Sequence, residues 1–187
     1  MNRLLRALPL SAERFAPFGT LLAQPQSTPS LERGDITFWN KTADLSGLAG
    51  SGVAGHLIAH RRELNLTQVE RHLHTPEAFI ATAGRSLMVV GKPGDLDPGS
   101  FNPGNPESGN LDTDALCVFE MAAGQAILLH PGSWHWAPFP ITETATFLLI
   151  LRAETSDHDI DIQDIPAHRL EPPAPVGDAA GSPGPSP

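Results

Sequence analysis

Histidine and glutamate side chains are concentrated in two short segments of this 187-residue chain. Residues 69–79 hold four of them, in the order Glu70, His72, His74 and Glu77. Residues 124–135 pass through His130 and a Pro-Gly pair, and they end with His135. Imidazole and carboxylate groups together suit a divalent first-row metal such as Ni, Mn, Fe, Co or Zn. The two segments therefore predict a metal site of three or four ligands that leaves positions open for a substrate.

The predicted strands determine which of these side chains can share a face. Side chains two apart on a strand share a face, so Glu70 and His72 can point the same way, as can His72 and His74. A Thr-Pro corner separates His74 from Glu77, which begins the next strand. Gly84 follows after six further residues and is suited to the hairpin turn that ends that strand.

Short apolar runs alternate with turn residues along most of the chain, a pattern typical of an all-β protein. We predict strands at residues 56–61, 69–73, 77–83, 86–91, 115–121, 125–129, 134–138 and 144–152. Near the N-terminus, Ser11 is placed to cap a short helix over residues 12–16. This many short strands in one domain indicates a barrel or a jelly roll.

The first segment resembles the first motif of the cupin superfamily, Gly-x5-His-x-His-x3–4-Glu-x6-Gly. Counting back from Gly84 places Glu77 at the motif's glutamate and His72 at its second histidine. Glu70 then stands where the motif has its first histidine. The other register, with His72 and His74 as the pair, leaves one residue too few before Glu77. We prefer the first register and keep His74 as the alternative ligand.

The second segment resembles the second cupin motif, Gly-x5-Pro-x-Gly-x2-His. Gly124, Gly132 and His135 match it, and His130 stands in place of its Pro. The resemblance implies an all-β cupin fold, an antiparallel β-barrel of jelly-roll type, here with a short N-terminal helix. It also implies a bound divalent metal ion, of unspecified identity among Ni, Mn, Fe and Zn, with four ligands: Glu70, His72, Glu77 and His135.

A closer resemblance is to the ureidoglycolate lyase family of cupins. That family opens with Leu-x-Leu-(Ser/Thr)-x3-Phe-x2-(Tyr/Phe)-Gly, and residues 8–19 match this pattern. Its Leu-Glu-Arg-His and Gln-Ala-Phe are similar to residues 69–72 and 77–79, with Glu77 in place of Gln. Its His-x3-Trp-His corresponds to His130, Trp134 and His135, and an acidic stretch at 157–165 is also similar.

The resemblance implies a lyase that splits ureidoglycolate into glyoxylate and urea. A metal would chelate the 2-hydroxycarboxylate, a base would take the hydroxyl proton, and an acid would protonate the departing urea nitrogen. We assign Glu77 as the base and His130 or His74 as the acid. Arg61 is suited to hold the substrate carboxylate by a bidentate fork. The predicted substrate-binding residues are His60, Arg61 and Trp134.

Two further functions remain open on the same residues. A set of two histidines and two carboxylates also suits a dioxygenase, an isomerase or a decarboxylase that acts on a small polar acid. A cupin without metal that only binds a small molecule is the alternative outside the enzymes. Metal analysis of the purified protein distinguishes these possibilities.

Composition and charge exclude several classes of partner. Twelve Lys and Arg against 21 Asp and Glu give a formal net charge of −9, and neither Lys nor Arg occurs between residues 93 and 151. Such a chain offers no obvious groove for a phosphate backbone, so we expect no nucleic-acid partner. The apolar runs are too short to span a bilayer, and no signal peptide is evident. We expect a cytoplasmic homodimer that acts on a small molecule, without a membrane partner.

A single cupin domain is expected over residues 1–170. Residues 171–187 contain six Pro and three Gly, a composition that predicts a disordered tail. A second stretch rich in Pro and Gly, residues 92–110, predicts a long surface loop.

Overall fold

The structure is a computed structural model that describes residues 3–23, 25, 27–93 and 111–174. In this part of the chain the strands are β1 (Arg3–Pro9), β2 (Gly19–Leu21), β3 (Leu31–Arg33), β4 (Ile36–Phe38), β5 (Gly52–His60), β6 (Asn65–Arg71), β7 (Glu77–Ala83), β8 (Arg85–Gly91), β9 (Cys117–Ala122), β10 (Ala126–Leu129), β11 (Trp134–His135), β12 (Phe139–Pro140), β13 (Thr144–Arg152) and β14 (Asp161–Glu171). Two short helices are α1 (Ala12–Phe15) and α2 (Thr155–His158), and Ser46–Leu48 and Thr113–Ala115 form 3₁₀ turns.

The strands form two main sheets and one small hairpin. The first sheet has the order β11-β6-β14-β1-β9-β8-β12, and β11 also pairs with β8, which closes six of the strands into a barrel. The second sheet has the order β2-β10-β7-β13-β5, and β3 pairs with β4. The predicted cupin barrel is confirmed, but the barrel is mixed, because β1 runs parallel to both β14 and β9. Strands this far apart in the chain need no tight turn between them and can therefore pair in parallel.

Two hydrophobic cores lie on opposite sides of the barrel wall. The barrel core is enclosed by the six strands and contains Leu5, Leu66, Val69, Leu87, Val89, Leu116, Val118, Trp134, Phe139, Ile165 and Leu170. The inter-sheet core lies between the two sheets and contains Phe15, Phe18, Leu21, Phe79, Ala81, Met88, Val90, Phe119, Met121, Ile127, Leu129, Ala145 and Phe147. Successive residues of β8 enter different cores, since side chains alternate along a strand. Both faces of β8 are therefore buried, which explains its unbroken apolar sequence.

The local signals at turns and at the first helix act as predicted. Ser11 is the N-cap of α1, and its side chain accepts a hydrogen bond from the Arg14 amide. Phe15 of that helix is fully buried in the inter-sheet core. Gly84 and Gly124 adopt the left-handed conformation, with φ of 76° and 87°, at the turns that join β7 to β8 and β9 to β10.

The eight predicted strands are all present, and those at Glu77–Ala83 and Thr144–Arg152 have the predicted bounds. The strand predicted at residues 134–138 ends at His135. The long strand β14 is not among the predicted strands, and its sequence is interrupted by Pro166, a residue that argues against a central strand. In the structure Pro166 lies within a shift of register between Asp164 and His168, where a missing amide donor is tolerated.

The two stretches rich in Pro and Gly fall largely outside the described residues. Residues 94–110 and 175–187 are not described, so the predicted loop and tail stay predictions. Glu171, which the sequence assigns to the tail, is the last residue of β14. Within the described part of the chain, no helix has the length and apolar character that crossing a bilayer requires.

Candidate metal centre

Three side chains from separate strands converge at one end of the inter-sheet core. His72 follows β6, Glu77 is the first residue of β7, and His135 ends β11. Glu77 Oε2 lies 3.1 Å from His72 Nε2 and 3.2 Å from His135 Nε2. One possible ligand atom from each residue lies within 4.8 Å of the others, and all three residues are buried. The structure thus brings both histidine-containing segments to one place, in a geometry that can hold a metal ion.

The pairing of β11 determines which side chains face this centre. His135 lies opposite Glu70 of β6 on one side and opposite Val90 of β8 on the other. Residues directly opposite one another on paired strands share a face, and Val90 belongs to the inter-sheet core. His135 and Glu70 therefore face the space between the sheets.

Each imidazole is oriented by a backbone carbonyl. His72 Nδ1 lies 2.6 Å from the carbonyl oxygen of Asp159, and His135 Nδ1 lies 3.0 Å from that of Ser133. A carbonyl can only accept, so each Nδ1 carries a proton, and in the neutral form of each ring the lone pair of Nε2 points towards Glu77. This is the usual arrangement of metal-binding histidines.

A cation is needed where these groups converge. Two imidazole lone pairs and one carboxylate oxygen repel one another unless a proton or a metal ion lies between them. Within the described part of the chain, His135 Nε2 is buried and has no partner in hydrogen-bond geometry. The donor set of two nitrogens and one oxygen fits a divalent first-row metal, which supports the predicted cofactor without identifying the ion.

The ionisation of Glu77 reflects its two neighbours. Burial raises the pKa of its carboxyl, but the close approach of the His135 and His72 rings outweighs burial and brings the pKa to about 2. Burial lowers the pKa of His72, but the hydrogen bond to Glu77 and its charge raise it above its usual range. A buried carboxylate with so low a pKa is a suitable ligand and a weak base.

Glu70 lies beside the three converging residues. Its Oε1 is 3.7 Å from His135 Nε2, and its side chain is 22% exposed. It can therefore serve as a fourth ligand or act on a molecule bound at the centre. The ring of His74 is 66% exposed and turns to Asp159, with Nδ1 2.9 Å from Oδ1. This placement favours the register that pairs Glu70 with His72 over the one that uses His74.

The structure places Trp134 away from the metal centre, on the opposite face of its strand. Trp134 is fully buried in the barrel core, where the Arg71 guanidinium lies 4.3 Å from the centre of its ring. Alternation along β6 predicts that Arg71 points to the face opposite His72; it is also buried, and it pairs with Asp161. Alternation correctly separates both residues from the metal-centre face. The opposite face is not exposed to solvent, because the closed barrel encloses it.

The structure also places His60 and Arg61 away from the metal centre. His60 pairs with Thr144 at the end of β5, and Arg61 lines a surface cavity with Arg62 and Arg85. Arg85 begins β8, just after the turn that ends β7, whereas Glu77 is the first residue of β7. The seven residues of β7 span about 20 Å. His60 and Arg61 thus lie at the other end of the sheet. Alternation along a strand indicates which face of the sheet a side chain lies on. It does not indicate the end of the sheet at which the residue lies.

His130 lies at the correct end of the sheet but outside the cluster. Its neighbour Leu129 is directly opposite Glu77. Its own side chain is exposed, and its amide donates to the carbonyl of Phe18. The set of closely spaced ligand atoms does not include it. Its role as proton donor therefore stays a prediction.

Asp159 is a residue of this site that the sequence analysis did not single out. It is 87 positions from His72 in the chain, yet its carbonyl accepts the hydrogen bond that orients that ring. The similarity of residues 157–165 to the acidic stretch of the resembling family was the available signal, although it did not indicate which residue contacts the centre.

Comparison with known proteins identifies the family of this chain. A solved structure, dTDP-4-dehydrorhamnose 3,5-epimerase from Elizabethkingia anophelis, is similar at 17% identity and a TM-score of 0.40, over 76% of this chain and 78% of that one. A likeness this low carries no argument about activity. The ureidoglycolate lyase of Mesorhizobium japonicum is 30% identical over 159 residues, which are 79% of this chain and 85% of that protein. The model of the ureidoglycolate lyase family matches residues 2–173. The resemblance inferred from the motifs is confirmed, and the chain belongs to the ureidoglycolate lyase family.

Proposed function

We propose that this protein is a metal-dependent lyase that splits ureidoglycolate into glyoxylate and urea. Membership of the ureidoglycolate lyase family supports the reaction class. The observation that carries the metal dependence is the approach of two Nε2 atoms to one carboxylate oxygen, at 3.1 and 3.2 Å, with both Nδ1 atoms bonded to backbone carbonyls.

His72, Glu77 and His135 would hold the metal ion, with Glu70 close enough to be a fourth ligand. A divalent ion bound there would act as a Lewis acid for a substrate that carries a hydroxyl beside a carboxylate. Glu77 serves as a ligand in this proposal, not as the base we first assigned, because its pKa of about 2 makes it a weak proton acceptor.

The proposed reaction moves one proton and breaks one bond. When the substrate hydroxyl loses its proton, the electron pair on oxygen forms the aldehyde C=O of glyoxylate. The C–N bond then breaks, and its electron pair stays on the urea nitrogen, which takes up a proton. We assign the proton transfer to Glu70, which is partly exposed beside the centre. The hydroxyl oxygen and the departing nitrogen are bonded to the same carbon, so one carboxylate can accept the proton from the first and deliver it to the second.

The test combines metal analysis with glyoxylate release from ureidoglycolate. We expect His72→Ala and His135→Ala each to lose most of the bound metal and most of the activity together. His74→Ala is the matched control, since its ring is exposed and turned away from the centre. It should retain most of both.

Two outcomes would contradict the proposal. Full metal occupancy in both His72→Ala and His135→Ala would show that these residues do not share a site. A metal-loaded wild-type protein that releases no glyoxylate from ureidoglycolate would show that the substrate is different.

A further inference from the structure

Asp159 lies between α2 and β14, and it connects that segment to the loop between β6 and β7. It follows α2 as the C-cap of that helix, and it is 4% exposed. Its carboxylate accepts hydrogen bonds from the amides of Leu73 and His74, at 2.9 and 3.1 Å. It also pairs with His74 Nδ1 at 2.9 Å and accepts from Thr75 Oγ1 at 2.7 Å. One buried carboxylate thus holds three consecutive residues of the loop.

The main chain of Asp159 extends this contact to the metal centre. Its carbonyl oxygen lies 2.6 Å from His72 Nδ1, so four consecutive residues, 72–75, are bonded to Asp159. The loop is also joined to the second motif, because the Gly132 amide donates to the His72 carbonyl at 2.6 Å. His72 and Glu77 lie on either side of the residues that the carboxylate holds, so displacement of this loop would move two of the three converging side chains.

We propose that Asp159 is a positioning residue of the metal centre, which sets the orientation of the His72 ring and the path of the chain from His72 to Glu77. The inference rests on the proposed metal-dependent function. Removing a hydrogen-bond partner that orients a metal-binding histidine typically lowers metal affinity or activity about ten- to a hundredfold. Here the carboxylate acts through the path of the backbone, which it holds by its hydrogen bonds to residues 73–75.

The test compares Asp159→Ala with Asp159→Asn, using Co²⁺ as the probe. Asp159→Ala removes the carboxylate that accepts from residues 73–75 and leaves the main-chain carbonyl that accepts from His72. We expect Co²⁺ affinity to fall about ten- to a hundredfold as the loop shifts, with altered visible absorption bands. Asparagine keeps Oδ1 as the acceptor for Leu73 and His74, and its NH₂ group can donate to Thr75, whose hydroxyl also accepts. Asp159→Asn should therefore retain the affinity and the spectrum of the wild type.

Thr142→Val is the control for a general loss of stability. The Thr142 hydroxyl accepts from the Arg85 amide at 3.0 Å, at the end of β7 that lies away from Glu77. We expect this variant to melt at a lower temperature with an unchanged Co²⁺ spectrum. If it weakens Co²⁺ binding as much as Asp159→Ala does, the effect reflects stability and the positioning role is overturned.

A second measurement separates this inference from the proposed function. In the metal-free protein at a pH above the pKa of His72, ¹⁵N NMR should show the Nδ1–H form of His72 in the wild type and in Asp159→Asn. It should show a mixture of forms in Asp159→Ala. If the wild type binds no Co²⁺, the metal centre is wrong, and the NMR comparison still decides the role of Asp159. Unchanged His72 signals and unchanged Co²⁺ affinity in Asp159→Ala, or an Asp159→Asn variant as impaired as Asp159→Ala, would overturn the inference.

Discussion

Glu77 determines the protonation of the centre before any metal binds. It is buried, and its Oε2 lies 3.1 Å from His72 Nε2, so it favours a proton on the His72 ring. The raised pKa of His72 follows from this contact, against the effect of burial. A metal must displace that proton, because a histidine ligand binds in its deprotonated form. Metal affinity should therefore fall as the pH is lowered through the pKa of His72.

Replacing Glu77 by glutamine should lower the pKa of His72. The amide keeps the shape of the side chain but removes the charge and the carboxylate hydrogen bond that raise this pKa, and burial, which lowers it, remains. An NMR titration of the His72 ring in the metal-free Glu77→Gln protein measures the change. Glu70→Gln is the control, since Glu70 makes the smallest of the contributions that raise this pKa, and its effect should be smaller. An unchanged His72 pKa in Glu77→Gln would show that the two side chains do not interact as described.

A tight turn at Gly84 joins β7, the strand that begins with Glu77, to β8. β7 carries Glu77 at its first residue and joins β8 through Gly84, whose φ is 76°. A Cβ at Gly84 would clash with the Thr144 carbonyl oxygen and lie 2.9 Å from Ala145 Cα, so the backbone of β13 approaches the turn too closely for any side chain. The glycine is required here both by its conformation and by this contact.

Gly84→Ala should destabilise the protein more than Gly124→Ala does. Both glycines have positive φ, which costs an alanine about 1–2 kcal/mol. A Cβ at Gly124 meets nothing within 4 Å, whereas at Gly84 the backbone of β13 must also move. Unfolding in urea measures the two free-energy changes. Equal losses in the two variants would contradict the close approach of β13 to the turn.

The assembly of the whole molecule is the remaining prediction from the sequence. β5 lies at one end of the order of the second sheet and pairs with β13 along nine residues. Val53 and Ile58 of this edge strand are large apolar residues that are 43% and 50% exposed. An edge strand of this length is prone to pair with another chain. We therefore expect a two-fold symmetric homodimer formed through this edge or the adjoining sheet face.

Light scattering at low micromolar concentration tests this expectation, with a mass of twice 19.9 kDa as the expected result. Ile58→Lys should shift the protein towards the monomer. Ile162→Lys is a matched control, because Ile162 is 53% exposed but belongs to the barrel sheet. A wild-type monomer, or dissociation by the control alone, would contradict an interface at β5.

Local signals and motif spacing determined much of this protein from the sequence alone. The cap of α1, the hairpin glycines and the eight predicted strands depend on interactions between residues close in the chain, so they can be inferred without a fold. Glu70, His72 and Glu77 lie within eight consecutive residues, and the resemblance of this segment to the first cupin motif identified them as candidate ligands. The resemblance of the second segment added His135.

Only the tertiary structure decided what surrounds those residues. Alternation along β6 and β11 separates Arg71 and Trp134 from the metal-centre face, but barrel closure determines that they are buried together instead of exposed. The direction of β5 relative to β7 places His60 and Arg61 at the far end of the sheet. Asp159 reaches the loop at His72 across 87 positions of sequence, because β14 pairs with β6 and brings α2 beside it. Such contacts arise from pairing between distant segments, and the periodicity of any one segment carries no information about them.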